Sequence, residues 1–146
     1  MVLKEVEFHT GVADPVGFAC RLLRKAHRQG LRVQVTAPAA TLAALDRELW
    51  TFEEREFLPH VRVPGAAAAV AERTPIWLSP QAGGEGAPRV LVNLDAQAPT
   101  ELAPLERLIE IVASDADQAD RGRSRWRAYK AAGLEITHHA AGGVRG

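Results

Sequence analysis

The stretch from Val2 to Val35 restricts the fold more than any other part of the chain. Residues 2 to 8 alternate, with Val2, Val6 and Phe8 on one side of a strand and Leu3, Glu5 and Glu7 on the other. Asp14-Pro15 then places a capping carboxylate before a proline whose missing N–H does no harm in a first helical turn. Val16, Ala19, Cys20, Leu23 and His27 fall on one helical face, Arg21, Arg24, Lys25 and Arg28 lie largely elsewhere, and Gly30 supplies a left-handed stop. Leu31, Val33 and Val35 alternate again. Strand, surface helix and strand joined by so short a turn make a β-α-β unit with a parallel pair, and parallel sheets need helices on both faces. The pattern therefore predicts an α/β domain.

Further elements follow from the same periodicities. After Pro38 a helix carries Leu42, Leu45 and Leu49 on one stripe and ends near Trp50, and residues 51 to 74, with no sustained helix or strand period outside 66 to 72, read as irregular. Ile76-Trp77-Leu78 and Val90 to Leu94 are apolar runs of buried-strand type, joined by the glycine-rich loop at 83 to 86 and extending the same sheet. Thr100 caps a third helix in which Leu105, Leu108, Ile109 and Val112 keep helical spacing over about fourteen residues. A fourth helix runs from about Asp117 to Ala132 and stops at Gly133, followed by a last strand at Leu134 to Thr137. One domain over residues 1–138 and a disordered tail over 139–146 result.

The chain has 146 residues, enough for one hydrophobic core and too few for two. Eighteen basic and eighteen acidic residues cancel, so the domain lacks the overall positive field that drives non-specific binding to phosphate backbones. Any contact with nucleic acid is therefore local or indirect. The amino terminus is charged where a signal peptide needs an apolar stretch, no run approaches a spanning helix, and Cys20 is the only cysteine. Together these predict a cytoplasmic protein with no membrane contact.

Catalytic signatures are weak. Cys20 sits on the apolar stripe of the first helix, where thiols are packing groups. Glu135-x-x-His138-His139 has the look of metal ligands, but that logic requires a helix, whereas Ile136 and Thr137 favour a strand. Gly83-Gly84-Glu85-Gly86 fits neither phosphate-cradling pattern and reads as a hairpin-type loop. No cofactor or metal site is expected.

The fourth helix is the most informative segment. Asp115, Asp117 and Asp120 come first, then Arg121, Arg123, Arg125, Arg127 and Lys130 without an intervening acid, a sorting that the helix dipole alone rewards. Geometry adds more, since Arg123, Trp126, Arg127 and Lys130 are spaced i, i+3, i+4, i+7 and share one face. A cationic rim around an indole suits an acidic peptide ending in an apolar side chain. Single-stranded nucleic acid is the rival ligand, through stacking and phosphate pairing, and a small nucleotide-binding or hydrolytic enzyme on the same sheet is the alternative from a different class. Trp50 and Phe57 lie in or beside the irregular segment, either as core plugs or as interface anchors.

Leu49-Trp50-Thr51-Phe52, Phe57-Leu58-Pro59-His60 and the run Arg125-Trp126-Arg127-Ala128-Tyr129-Lys130-Ala131-Ala132-Gly133 resemble the chi subunit of bacterial DNA polymerase III holoenzyme, in matching order from the first strand to about Thr137. The resemblance implies a Rossmann-like, three-layer α/β domain with a mostly parallel sheet flanked by helices. It also implies a non-catalytic accessory subunit of the clamp loader that bridges the psi subunit and the acidic C-terminal tail of single-stranded DNA-binding protein. Arg123, Trp126, Arg127 and Lys130 would take the tail, Phe57 and Trp50 would meet psi, and DNA would be contacted indirectly. Any polymerase activity would belong to the assembly, because paired carboxylates for catalytic magnesium are not identifiable in the sequence. Trp126 stands where the family has a tyrosine, and Ala119 where it has a lysine.

Overall fold

Strand and helix alternate along most of the chain, and every strand pairing is parallel. The computed structural model describes residues 3–51 and 57–141. Among them the order is β1 (Glu5–Val12), α1 (Pro15–Arg28), β2 (Val33–Thr36), α2 (Ala39–Thr51), β3 (His60–Arg62), α3 (Ala68–Arg73), β4 (Ile76–Ser79), β5 (Val90–Leu94), β6 (Arg107–Ala113), α4 (Ala116–Ala131) and β7 (Glu135–Ala140). One seven-stranded sheet has the order β3-β4-β2-β5-β6-β1-β7. Right-handed crossovers place α1 and α2, which move the chain one way along the sheet, on one face, and α3 and α4, which move it back, on the other. This is the Rossmann-like three-layer domain expected. No helix among the described residues is long and apolar enough to cross a membrane.

Local chemistry sets the ends of α1. Asp14 accepts the Gly17 N–H at 3.1 Å, Pro15 opens the first turn and Gly30 at φ 75° closes the last. Ala19, Cys20, Leu23 and Ala26 pack with Leu42, Leu45 and Leu49 of α2 over Val33, Val35, Val92, Ile109 and Ile111. The opposite face buries Val6, Phe8, Leu91, Leu108 and Val112 beneath Tyr129 of α4.

Three expectations are corrected. The segment around Leu105 to Val112 is not a third helix but β6, inside the sheet between β5 and β1. Both faces of β6 are covered, so its apolar residues run on without the alternation that marks a half-exposed strand, and the run also fits helical spacing. Residues 83 to 86 do not form a hairpin, because β2 lies between β4 and β5. The loop instead passes over the α4 face of the sheet, held where Gln34 donates to the Gly83 carbonyl at 3.0 Å and accepts its N–H at 2.9 Å. Finally, the segment read as irregular contains the edge strand β3 and the short helix α3, whose Ala71 carbonyl accepts the Trp77 indole N–H at 2.7 Å. At the carboxyl end, β7 continues to Ala140, two residues into the expected tail. Val2 and residues 142–146 lie outside the described residues.

Register aligns one row of side chains across the α4 face: Ser79, Thr36, Asn93, Glu110, Phe8 and His138 are successive Cα partners on β4, β2, β5, β6, β1 and β7. Its centre is polar and fully buried. Thr36 donates to Asn93 Oδ1 at 3.0 Å, and Asn93 Nδ2 donates to Glu110 Oε2 at 3.0 Å. From α4 above, Arg125 Nε donates to Glu110 Oε1 at 2.9 Å and Tyr129 donates its hydroxyl to Oε2 at 2.5 Å. Burial pushes the Glu110 carboxyl up, while the Arg125 charge beside it and the three donors pull it back towards the ionised form. Burial, then the Glu110 charge, drives the Tyr129 phenol up, so it stays a donor.

Glu110→Gln sets an amide N–H₂ against groups that themselves donate and leaves Arg125 only its 3.6 Å ion pair with Asp95. It is expected to lower unfolding free energy by about 3 kcal/mol or more in urea titrations. A loss below about 1 kcal/mol would mean that the row does not anchor α4.

Candidate functional site

α4 is built to lie close on the sheet at one turn and to carry charge outward at the next. Asp115 caps it by accepting the Gln118 N–H at 3.1 Å, Asp117 sits in the first turn and Lys130 in the last, as the helix dipole favours. A Cβ on Gly122 would fall 2.9 Å from both Val112 methyl carbons, so only glycine permits this approach to β6. One turn on, the half-buried Trp126 stacks on Phe8 with ring centroids 4.9 Å apart and a 49° tilt.

Beside this contact a groove of about 240 Å³ opens at the carboxyl ends of β1 and β6. Phe8, Val112 and Gly122 are among its apolar walls, with Arg123, Trp126 and His138 along it. The His138 ring stands perpendicular to Trp126 at 5.1 Å, and its Nε2 lies 2.7 Å from the Thr10 hydroxyl. Arg123 is exposed and paired with exposed Asp120, an i,i+3 surface pair of the kind that contributes little and exchanges readily. The groove thus joins an apolar slot to a guanidinium, which suits an apolar side chain next to a carboxylate.

The structure divides the cations that the sequence grouped together. Arg123 and Trp126 meet at the groove, whereas Arg127 and Lys130 are exposed on α4 and do not line it. Arg121 is committed elsewhere, donating to Asp95 at 2.9 and 2.7 Å. Asp95 itself holds a left-handed backbone at φ 61° at the end of β5. Arg125 is buried on Glu110. Phe8, Thr10, Val112 and His138 escaped sequence reasoning because they meet only through sheet register and crossover. The glycine within α4 was a readable sign of close packing.

A second surface lies at the other edge of the sheet. Trp50, at the end of α2, and Phe57 are 62% and 52% exposed, with ring centroids 5.2 Å apart. They are exposed and do not plug the core. His60 of β3 meets Trp50 edge-on at 5.2 Å and is fixed by the Leu58 carbonyl at 2.7 Å and Asp46 at 2.9 Å.

The remaining candidates take structural positions. Cys20 is fully buried, and burial, followed by the Glu48 and Asp14 charges, pushes its thiol up to about 11. Glu135 and His138 lie on a strand, as Ile136 and Thr137 implied. No cluster of three or more metal-ligating side chains occurs among the described residues. On the α1 face His9 stacks on His139 at 4.7 Å and 15°. Burial, then the His139 charge, lowers the His9 pKa below 6.5, with Glu7 opposing.

A lowered pKa means that the unfolded chain takes up the His9 proton first. The stability His9 contributes is therefore complete above pH 6.5 and is lost as pH falls below it. His9→Gln should flatten the fall in urea midpoint between about pH 7 and 5, and an unchanged slope would assign the fall to other groups. Native Cys20 should resist a thiol-exchange reagent at about pH 8 and react fully in urea, whereas rapid native reaction would contradict its burial.

The sequence matches the family model described as DNA polymerase III chi subunit, HolC, over residues 3–137. It is also 32% identical over 136 residues to the DNA polymerase III subunit chi of Pseudomonas aeruginosa, a match covering 87% of this chain and 89% of that protein. With the family model spanning nearly the whole chain and this relative aligned along most of both lengths, the chain belongs to the DNA polymerase III chi subunit family.

Proposed function

We propose that this chain is a cytoplasmic, non-catalytic accessory subunit of the DNA polymerase III clamp-loader assembly, joining the psi subunit to the acidic C-terminal tail of single-stranded DNA-binding protein. The observation that carries the reading is the groove in which Arg123 and Trp126 meet. Its apolar walls accept a terminal aromatic or aliphatic side chain, and Arg123 exchanges Asp120 for a carboxylate of the tail. Arg127 and Lys130, exposed farther along α4, supply positive field towards the acidic residues upstream.

Trp50 and Phe57 are the psi anchors in this reading. Two touching, exposed aromatics leave apolar surface in water that a partner would cover. They sit by the β3 edge and the groove by the β7 edge, six strand spacings or on the order of 29 Å apart. One small domain can therefore hold both partners at once. A non-catalytic role is supported by the occupied state of the reactive groups inside: Glu110 is held by three donors, and the Cys20 thiol is raised to about 11.

Fluorescence anisotropy with an aspartate-rich peptide ending in a free phenylalanine carboxylate should give roughly micromolar affinity. Arg123→Ala and Trp126→Ala should each weaken it about tenfold, while Trp50→Ala leaves it unchanged. The reverse set should hold for psi, with loss on Trp50→Ala or Phe57→Ala only. Loss of both partners on Arg123→Ala would sink the two-surface reading.

A further inference from the structure

Every member of the row from Ser79 to Phe8 is buried, but its last member, His138, is exposed on the edge strand β7. It is held on two sides, by the Thr10 hydroxyl at Nε2 and by Trp126 across its ring. Nδ1 has no partner among the described residues. His138 lines the same groove as Arg123 and reaches it from a different element. A side chain that is oriented at one ring nitrogen and open at the other, beside a guanidinium and an apolar slot, is placed to donate to a ligand.

We propose that His138 is a further binding residue of this groove, donating from protonated Nδ1 to a carboxylate of the bound acidic terminus alongside Arg123. The inference rests on the peptide-binding reading and adds to it a dependence on acidity. Imidazole is the side chain that changes charge between pH 5 and 8, while the aspartates of such a peptide stay ionised. Among the described residues His138 has no carboxylate partner. β1 offers Phe8 and Thr10, with His9 acting through space from the other face. α4 offers Trp126, and Arg123 with its Asp120 partner. On β7 itself His139 is turned to the other face and stacked on His9. Asp120, the carboxylate that Arg123 releases to the peptide, does not line the groove, so a ligand carboxylate is the counter-charge for an imidazolium here.

The test titrates a labelled aspartate-rich peptide ending in a free phenylalanine at about pH 5.5 and about pH 8, with the wild-type chain, His138→Gln, His9→Gln and Arg123→Ala. The wild type should bind roughly fivefold more tightly in acid, the size of an exposed ion pair. His138→Gln should abolish that gain, so that its affinities at the two pH values are alike, and His9→Gln should retain it. An acid gain that survives in His138→Gln overturns the proposal. Wild-type binding that is flat with pH but weakened by Arg123→Ala leaves the groove reading in place and overturns only the role of His138. Absence of binding, or indifference to Arg123→Ala, removes both.

Discussion

The hold of Glu110 on α4 is the interaction on which the rest of this structure depends. A carboxylate at the centre of an all-parallel sheet is costly to bury, and it is kept there by an arginine, a tyrosine and an asparagine that spend their donors on it. Two of those donors come from one helix. A helix that covers an apolar strand by packing alone can slide or rotate at small cost, whereas Arg125 and Tyr129 meet both Glu110 oxygens in only one placement.

That placement explains the groove. With Arg125 and Tyr129 turned inward and Gly122 resting on Val112, the intervening Trp126 falls on Phe8 and the side chain three residues earlier, Arg123, is left at the rim. The same helix therefore has a fixed inner face and an outer edge that lines the groove, and the row of aligned residues beneath it runs from one to the other. Asp95 extends the arrangement by holding Arg121 away from the groove. Positive charge is concentrated by committing some arginines and freeing others.

Much of this was legible in the sequence. The cap and amphipathic face of α1 could be read because that helix has one wet side, which gives its pattern a period, and Gly133 marked the end of α4. β6 could not, since a strand covered on both faces loses its alternation and Leu108, Ile109 and Val112 then match a helix equally well. Arg123 and Trp126 were found because they are neighbours on one helix. Their companions Phe8, Val112 and His138 are brought there from β1, β6 and β7 by sheet order, which local sequence does not encode. Arg125 read only as one of a run of basic residues and is the buried anchor, a role hidden because its partner Glu110 sits in the segment misread as helix.

The proposed function requires that an acidic terminus be recognised in the pocket between α4 and the β7 edge rather than over the charged outer surface of the helix. Backbone amide chemical-shift mapping with the unlabelled peptide tests it most directly. Binding in that pocket confines the shifts to residues around Thr10, Val112 to Ser114, Ala119 to Trp126 and His138. Shifts centred on Trp50 and Phe57, or spread along the Arg127 to Lys130 surface with none at Val112 and His138, would contradict it.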